Sequence, residues 1–276
     1  MSEYLERIKQ TFDEIIAENY SEKIWAKIYK KDDVSFRAKV KGVKSFIPFD
    51  EMPWSYQDLE HWNVVAKYLM GKVYDATLLG SNEETTRLTL PALNHNFPKK
   101  NYTKGQSYKC VVLLKHKTYL TVEAGIDSTF KNGSQIGEVS TYDLANASDF
   151  RDAAVGDELV LTYLKHKNES TITLCSPTKY TRWYKQKPKQ QVGSSLEVTV
   201  NKVNNKSTFT LLDGINGVLR ISPKLYGSHL VTPLNNYINN LSDGDQITCL
   251  VHGTNPKTSE FFLRFEPRLL EELEKI

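Results

Sequence analysis

The side chains in this sequence with the most chemical potential are cations set among flat rings. Lys115-His116-Lys117 is echoed by Lys165-His166-Lys167, and Tyr119 stands just beyond the first tripeptide. Residues 179–189 hold Lys179, Arg182, Lys185, Lys187 and Lys189, interleaved with Tyr180, Trp183 and Tyr184 and with no acid. Near the start Trp25, Lys27 and Tyr29 alternate, and Arg37 and Lys39 follow. Cationic groups neutralise phosphates and aromatic faces accept stacked bases, so this combination suits a single nucleic-acid strand. Each group also has a plainer reading. Trp25 and Tyr29 would serve equally to pack against a neighbouring helix, the tripeptides would serve as solvated turns, and the aromatics of residues 179–189 would serve to wedge two domains together. His116 and His166 invite a metal reading, but no Cys or carboxylate sits at a supporting spacing, so no metal and no other cofactor is expected.

Catalytic patterns are missing. The chain has no G-x-x-x-x-G-K-[ST], no H-E-x-x-H and no G-x-S-x-G, and Asp127, Asp143, Asp149, Asp152 and Asp157 are scattered rather than set at metal-site spacing. The expectation is a protein that is not an enzyme. The formal net charge of +3, from 36 Lys and Arg against 33 Asp and Glu, is too small to demand nucleic acid by itself. Its distribution says more: residues 1–22 carry six acids against two bases, whereas residues 179–191 carry five bases and no acid. Cys110, Cys175 and Cys249 are odd in number and lack C-x-x-C spacing, which favours buried free thiols in a reducing compartment. The first residues are charged, and no apolar run approaches the roughly 18 residues of a membrane span, so a cytoplasmic protein without a membrane partner is expected.

Those side chains must be positioned by regular elements, and a repeat supplies them. Gly71, Gly105, Gly156, Gly193 and Gly244 are each followed by apolar residues at offsets three, five and seven, the alternation of a half-buried strand after a turn. Ser21 heads a sixth copy, with Ile24, Ala26 and Ile28. The copies pair: Ser21 to Gly71 is 50 residues, and Gly105 to Gly156 and Gly193 to Gly244 are each 51. Each pair encloses a second alternating run and a glycine turn, and each is followed by a last short strand. Five strands per unit of about 70 residues, with a longer crossing between the third and fourth, match a five-stranded Greek-key barrel of the OB type. The expected fold is therefore mainly β: three tandem five-stranded OB-type barrels with short N- and C-terminal helices. Residues 1–20 form an acidic amphipathic helix in this reading, 21–92, 99–177 and 193–266 the barrels, 178–192 a basic aromatic linker, and 267–276 a closing helix. In the first crossing Leu59, Trp62, Val65 and Leu69 lie at helical spacing, as a plug for the barrel would.

The third unit carries a family resemblance. Gly214-Ile215-Asn216-Gly217-Val218-Leu219-Arg220-Ile221-Ser222 resembles the third-strand motif of S-one-type RNA-binding repeats, the OB-fold modules named after the largest bacterial small-subunit ribosomal protein. That motif is a glycine, two residues, a second glycine, two apolar residues, histidine, isoleucine and serine. The stretch from Gly42 to Met52 is similar but lacks the second glycine, and Gly137-Glu138-Val139-Ser140 is the most divergent. The resemblance implies a binding face on strands two and three and on the loops between strands one–two and four–five. It places Phe209 and Tyr119 where the family has stacking aromatics, and Arg220 where it has the third-strand histidine. Pro48 and Glu138 are the expected occupants of that histidine place in the other two units.

Together these readings imply a non-catalytic protein that binds single-stranded RNA, tracking its backbone and stacking its bases. The expected contacts are Trp25, Lys27, Tyr29, Arg37, Lys39, Lys115, His116, Lys117, Tyr119, Lys165, His166, Lys167, Lys179, Arg182, Trp183, Lys185, Phe209 and Arg220. Single-stranded DNA is the alternative partner, with RNA favoured. A protein-interaction adaptor that docks on a ribosome or polymerase assembly, using the acidic N-terminal helix, is the alternative of another class.

Overall fold

The computed structural model describes residues 24–40, 42–81, 86–89, 102–128, 130, 133–203, 206–211 and 214–275. The expected N-terminal helix, residues 1–20, and the expected gap between the first two units, residues 93–98, lie outside them. The described residues form two compact units: those up to Val139 with Phe150–Leu174, and Ser140–Asp149 with Cys175 onwards. No helix among the described residues is long and apolar enough to cross a membrane.

Alternation builds the first barrel. In β1 (Ile24–Lys31) and β2 (Ser35–Val40), Ala26, Ile28, Phe36, Ala38 and Val40 turn inward and are buried, as the period of two requires. Strand β3 (Val43–Pro48) follows, and β4 (Val73–Ser81) and β5 (Thr86–Thr89) close the ring in the order β1-β2-β3-β5-β4. All pairings are antiparallel except β3 with β5, the parallel seam of an OB barrel. Helix α1 (Glu60–Leu69) spans the crossing and buries Trp62, Val65, Ala66 and Leu69. Leu59 precedes the helix and is exposed, so the expected plug starts one turn later. Trp62 meets Phe36 edge-on at 5.5 Å and stacks on Phe49 at 5.0 Å, filling the barrel's end.

The last barrel repeats this plan with β11 (Ser195–Val203), β12 (Lys206–Leu211), β13 (Asn216–Leu219), β14 (Gln246–Asn255) and β15 (Glu260–Phe265) in the order β11-β12-β13-β15-β14. Its crossing holds a 13-residue helix, Ser228–Asn240, that buries Leu230, Leu234 and Ile238. In the middle region β6 (Ser107–Lys115), β7 (Tyr119–Glu123), β8 (Ile136–Ser140), β9 (Glu158–His166) and β10 (Thr171–Cys175) run in the order β9-β6-β7-β8-β10. There the defined registers join β6 to β7, β6 to β9 and, in parallel, β8 to β10. The crossing is short, a single 3₁₀ turn followed by helix α2 (Ala147–Asp152).

The parallel seam explains the second glycine of the resembling motif. A Cβ on Gly217 would lie 2.4 Å from Leu263, and one on Gly137 would lie 2.5 Å from Leu174, both impossible without movement. The equivalent residue in β3 is Ser45, small and buried. This register corrects the sequence alignment: with Gly137 in the place of Gly217, Ser140 and not Glu138 stands where Arg220 does.

Within the first compact unit, the first barrel's loop and helix pack on the middle strands through a buried carboxylate. Glu123 has no solvent exposure. Its Oε1 accepts from the amides of Gly125 and Gln135 at 2.6 and 2.7 Å, and its Oε2 accepts from the hydroxyls of Ser134 and Tyr56 at 2.5 and 2.7 Å. Burial still lifts its pKa above the ordinary carboxylate value, while these donors pull it back. Trp54 stacks on Phe130 at 4.8 Å, and Tyr68 donates to Glu158 at 2.8 Å, so apolar and polar contacts lie side by side. Glu123→Ala strips four donors of their acceptor and is expected to lower stability by about 3 kcal/mol, read as the midpoint of urea unfolding. Glu123→Gln keeps the shape, and the two hydroxyls can rotate to accept from its amide, so its loss should be about 1 kcal/mol. Equal losses in the two variants would assign the cost to volume instead.

Candidate nucleic-acid interface

The outer face of β1, β2 and β3 carries exposed cations and rings side by side. Trp25, Lys27, Tyr29 and Lys39 point outward, and Trp25 is 68% exposed. The strand registers add a feature no local pattern shows: Lys27 lies directly opposite Lys39, and Lys39 directly opposite Lys44. All three are exposed, so three lysines form one rung across neighbouring strands. Like charges directly opposite one another disfavour the sheet. Sequence reasoning missed Lys44, because only the pairing of β2 with β3 brings it into line. Next to the rung, the Lys39 ammonium sits 5.4 Å from the centre of the Tyr29 ring. Arg37 pairs across the strands with Phe46 and is tied to Asp32, whose carboxyl it holds below the usual range.

In the middle region Lys167, of the second Lys-His-Lys turn, lies near Tyr119, just beyond the first. Glu138 on β8 accepts from Lys167 at 2.6 Å, raising the pKa of that lysine, and Tyr119 is close enough to contribute to the same shift. His116 stacks on Tyr119 with ring centres 4.0 Å apart, and its Nε2 is 3.0 Å from the Thr121 hydroxyl. His166 packs edge-on against Tyr163. Two of the four lysines are already engaged. Lys115 does not project from the rim but donates to the carbonyls of Arg151 and Ala153 at 2.6 and 2.9 Å, over the Phe150 ring, where it serves the C-terminal end of α2. Lys117 and Lys165 are exposed.

Three expected contacts prove to be interior. Residues 177–191 are not an open linker: they fold as helix α3 (Pro177–Arg182) and two 3₁₀ turns. Trp183 is 1% exposed and packs on Phe261, so its ring is part of the last barrel's core and offers no face to a base. Lys179 is buried and donates to the Pro256 carbonyl at 2.8 Å and to the Ser259 hydroxyl. Burial lowers its pKa and nearby Asp143 raises it. Phe209 faces inward opposite Val200 and is buried, because the alternation of β12 sends it to the core. Arg182, Lys185 and Arg220 are exposed, Arg220 lying over the Phe262 ring at 5.9 Å. The three cysteines are buried free thiols, and burial pushes Cys175 and Cys249 up to about 12.

Among the described residues no group of three or more His, Cys, Asp and Glu side chains gathers to hold a metal. No protein-family model matches the chain, and no curated protein matches it. Among solved structures, the chain is similar to a multidomain protein with nucleic acid binding domains from Streptococcus pneumoniae, at 13% identity and a TM-score of 0.20, over 89% of this chain and 73% of that one. It is also similar to the Drosophila Unr CSD456, at 11% identity and a TM-score of 0.25, over 88% of this chain and 95% of that one. A third likeness, to the apo form of Mycoplasma genitalium RNase R, has 9% identity and a TM-score of 0.19, over 57% of this chain and 21% of that one.

The contrast between two tryptophans is directly measurable. Trp183→Ala should lower stability by about 3–5 kcal/mol, as removal of a core ring does, whereas Trp25→Ala should leave the urea midpoint within about 0.5 kcal/mol. A comparable loss from Trp25→Ala would mean that its ring is packed rather than presented.

Proposed function

We propose that this chain binds single-stranded nucleic acid without catalysing a reaction, and that RNA is bound in preference to DNA. The observation that carries the reading is the rung of Lys27, Lys39 and Lys44 with Trp25 and Tyr29 on the same face. Three charges that repel one another in the free protein gain from a phosphate chain laid across them, and the rings beside them offer stacking surfaces. The face belongs to strands one to three of an OB-type barrel, the side that such barrels turn to oligonucleotides. The preference for RNA rests on the resemblance of residues 214–222 to S-one-type repeats. In this reading the chain is three tandem OB-type units, 21–92, 99–177 and 193–266, that do not contribute equally. The first supplies the main surface, and Lys117 and Lys165 extend the phosphate track in the second.

Anisotropy titration of a labelled strand of about 20 nucleotides, as RNA and as DNA, tests this at several salt concentrations. Each phosphate neutralised on a single strand contributes about 0.7 to the slope of log affinity against log salt. Replacing Lys27, Lys39 and Lys44 together with Ala should therefore flatten that slope by about 2. Trp25→Ala should cost a further 1–3 kcal/mol or so in affinity with little change in slope. An unchanged slope in the triple variant would move the binding surface elsewhere, and negligible affinity for either polymer would favour the adaptor reading.

A further inference from the structure

The second compact unit holds a cavity of about 400 Å³ that the β1–β3 face does not involve. Its charged lining is wholly cationic: Lys179 and Arg182 from α3, and Lys257 from the turn after β14. Lys179 is fixed in place by the Pro256 carbonyl and the Ser259 hydroxyl, so its charge is held at the wall rather than free to swing into solvent. Arg182 and Lys257 are exposed and able to close over a ligand. Two carboxylates lie near but do not line the cavity. Asp143 accepts from the Tyr184 hydroxyl at 2.6 Å, and Glu260 accepts from Thr258 at 2.5 Å. Tyr142 lines the cavity with a ring 38% exposed, and Asn216 brings an amide able to read a base edge. Ser259, in the turn that holds Lys179, has a φ of +57°, a left-handed conformation that a residue with a Cβ seldom adopts.

A small-molecule pocket spans about 300–1,000 Å³, so this cavity admits one nucleotide and not a run of them. We propose that it captures a terminal, phosphorylated nucleotide of a bound strand, with the phosphate against Arg182 and Lys257, the buried charge of Lys179 behind them, and the base against Tyr142. The proposal rests on the single-strand reading above. A free nucleoside monophosphate presents the same chemistry.

The test uses the full chain and RNA of about 12 nucleotides carrying a 5′-phosphate, a 3′-phosphate or neither, with adenosine monophosphate as a separate probe. One phosphorylated end should bind about tenfold more tightly than the bare strand, as charge-assisted contacts to a terminal phosphate allow. The variant R182A/K257A should abolish that preference, lowering affinity for the phosphorylated strand about tenfold more than for the bare one, and leave the melting temperature unchanged. Equal affinity for all three strands, or a preference that survives in the variant, overturns the proposal while leaving the single-strand reading intact. If no RNA is bound, the single-strand reading fails. Binding of adenosine monophosphate that R182A/K257A removes would then support a pocket for the free nucleotide, and its failure to bind would overturn the pocket as well.

Discussion

The closing of a five-stranded ring depends on one narrow approach, where the third strand runs parallel to the fifth. Gly217 and Gly137 sit there with Leu263 and Leu174 pressed against the space a side chain would need, and Ser45 occupies the corresponding place in the first barrel. Once this seam is shut, the inward and outward directions of every strand follow from the pleat. Ala26, Ile28, Phe36 and Ala38 are committed to the interior, and Trp25, Lys27 and Lys39 to the outside. The composition of the outer face is thus a consequence of core packing on the other side of the same strands.

Glu123 shows a different way of fixing geometry. A carboxylate with no access to water is expensive to bury, and its gain over a well-packed apolar group is small at best. What it supplies is specificity: two amides and two hydroxyls converge on it, and one hydroxyl belongs to Tyr56 of the first barrel's loop. An apolar contact such as Trp54 on Phe130 tolerates sliding, whereas four directed donors do not. The first barrel is therefore held in one orientation on the middle strands rather than tethered to them.

Strands and their faces were legible in the sequence because period-two alternation and the recurring glycines are local signals. Gly105 and Gly156, at φ of +86° and +92°, are the turn residues that such positions demand, which is why the signature recurs. Most of the misplaced residues share one cause: their fate is decided by contacts distant in sequence. Trp183 reads as a linker aromatic until Phe261, far along the chain, covers it. Lys115 reads as a rim cation until the end of α2 presents Arg151 and Ala153 carbonyls to it. Phe209 was assigned by analogy to a motif, although its own alternation with Leu211 already pointed it inward. Lys44 carried no signal at all before the register of β2 and β3 was known.

The rung of Lys27, Lys39 and Lys44 sets like charges opposite one another on the free protein. Repulsion between directly opposite lysines works against the sheet that holds them in register, and dissolved ions relax it by screening. In the proposed binding mode a polyanion laid across the rung would relax it further, so salt and strand would compete for the same relief.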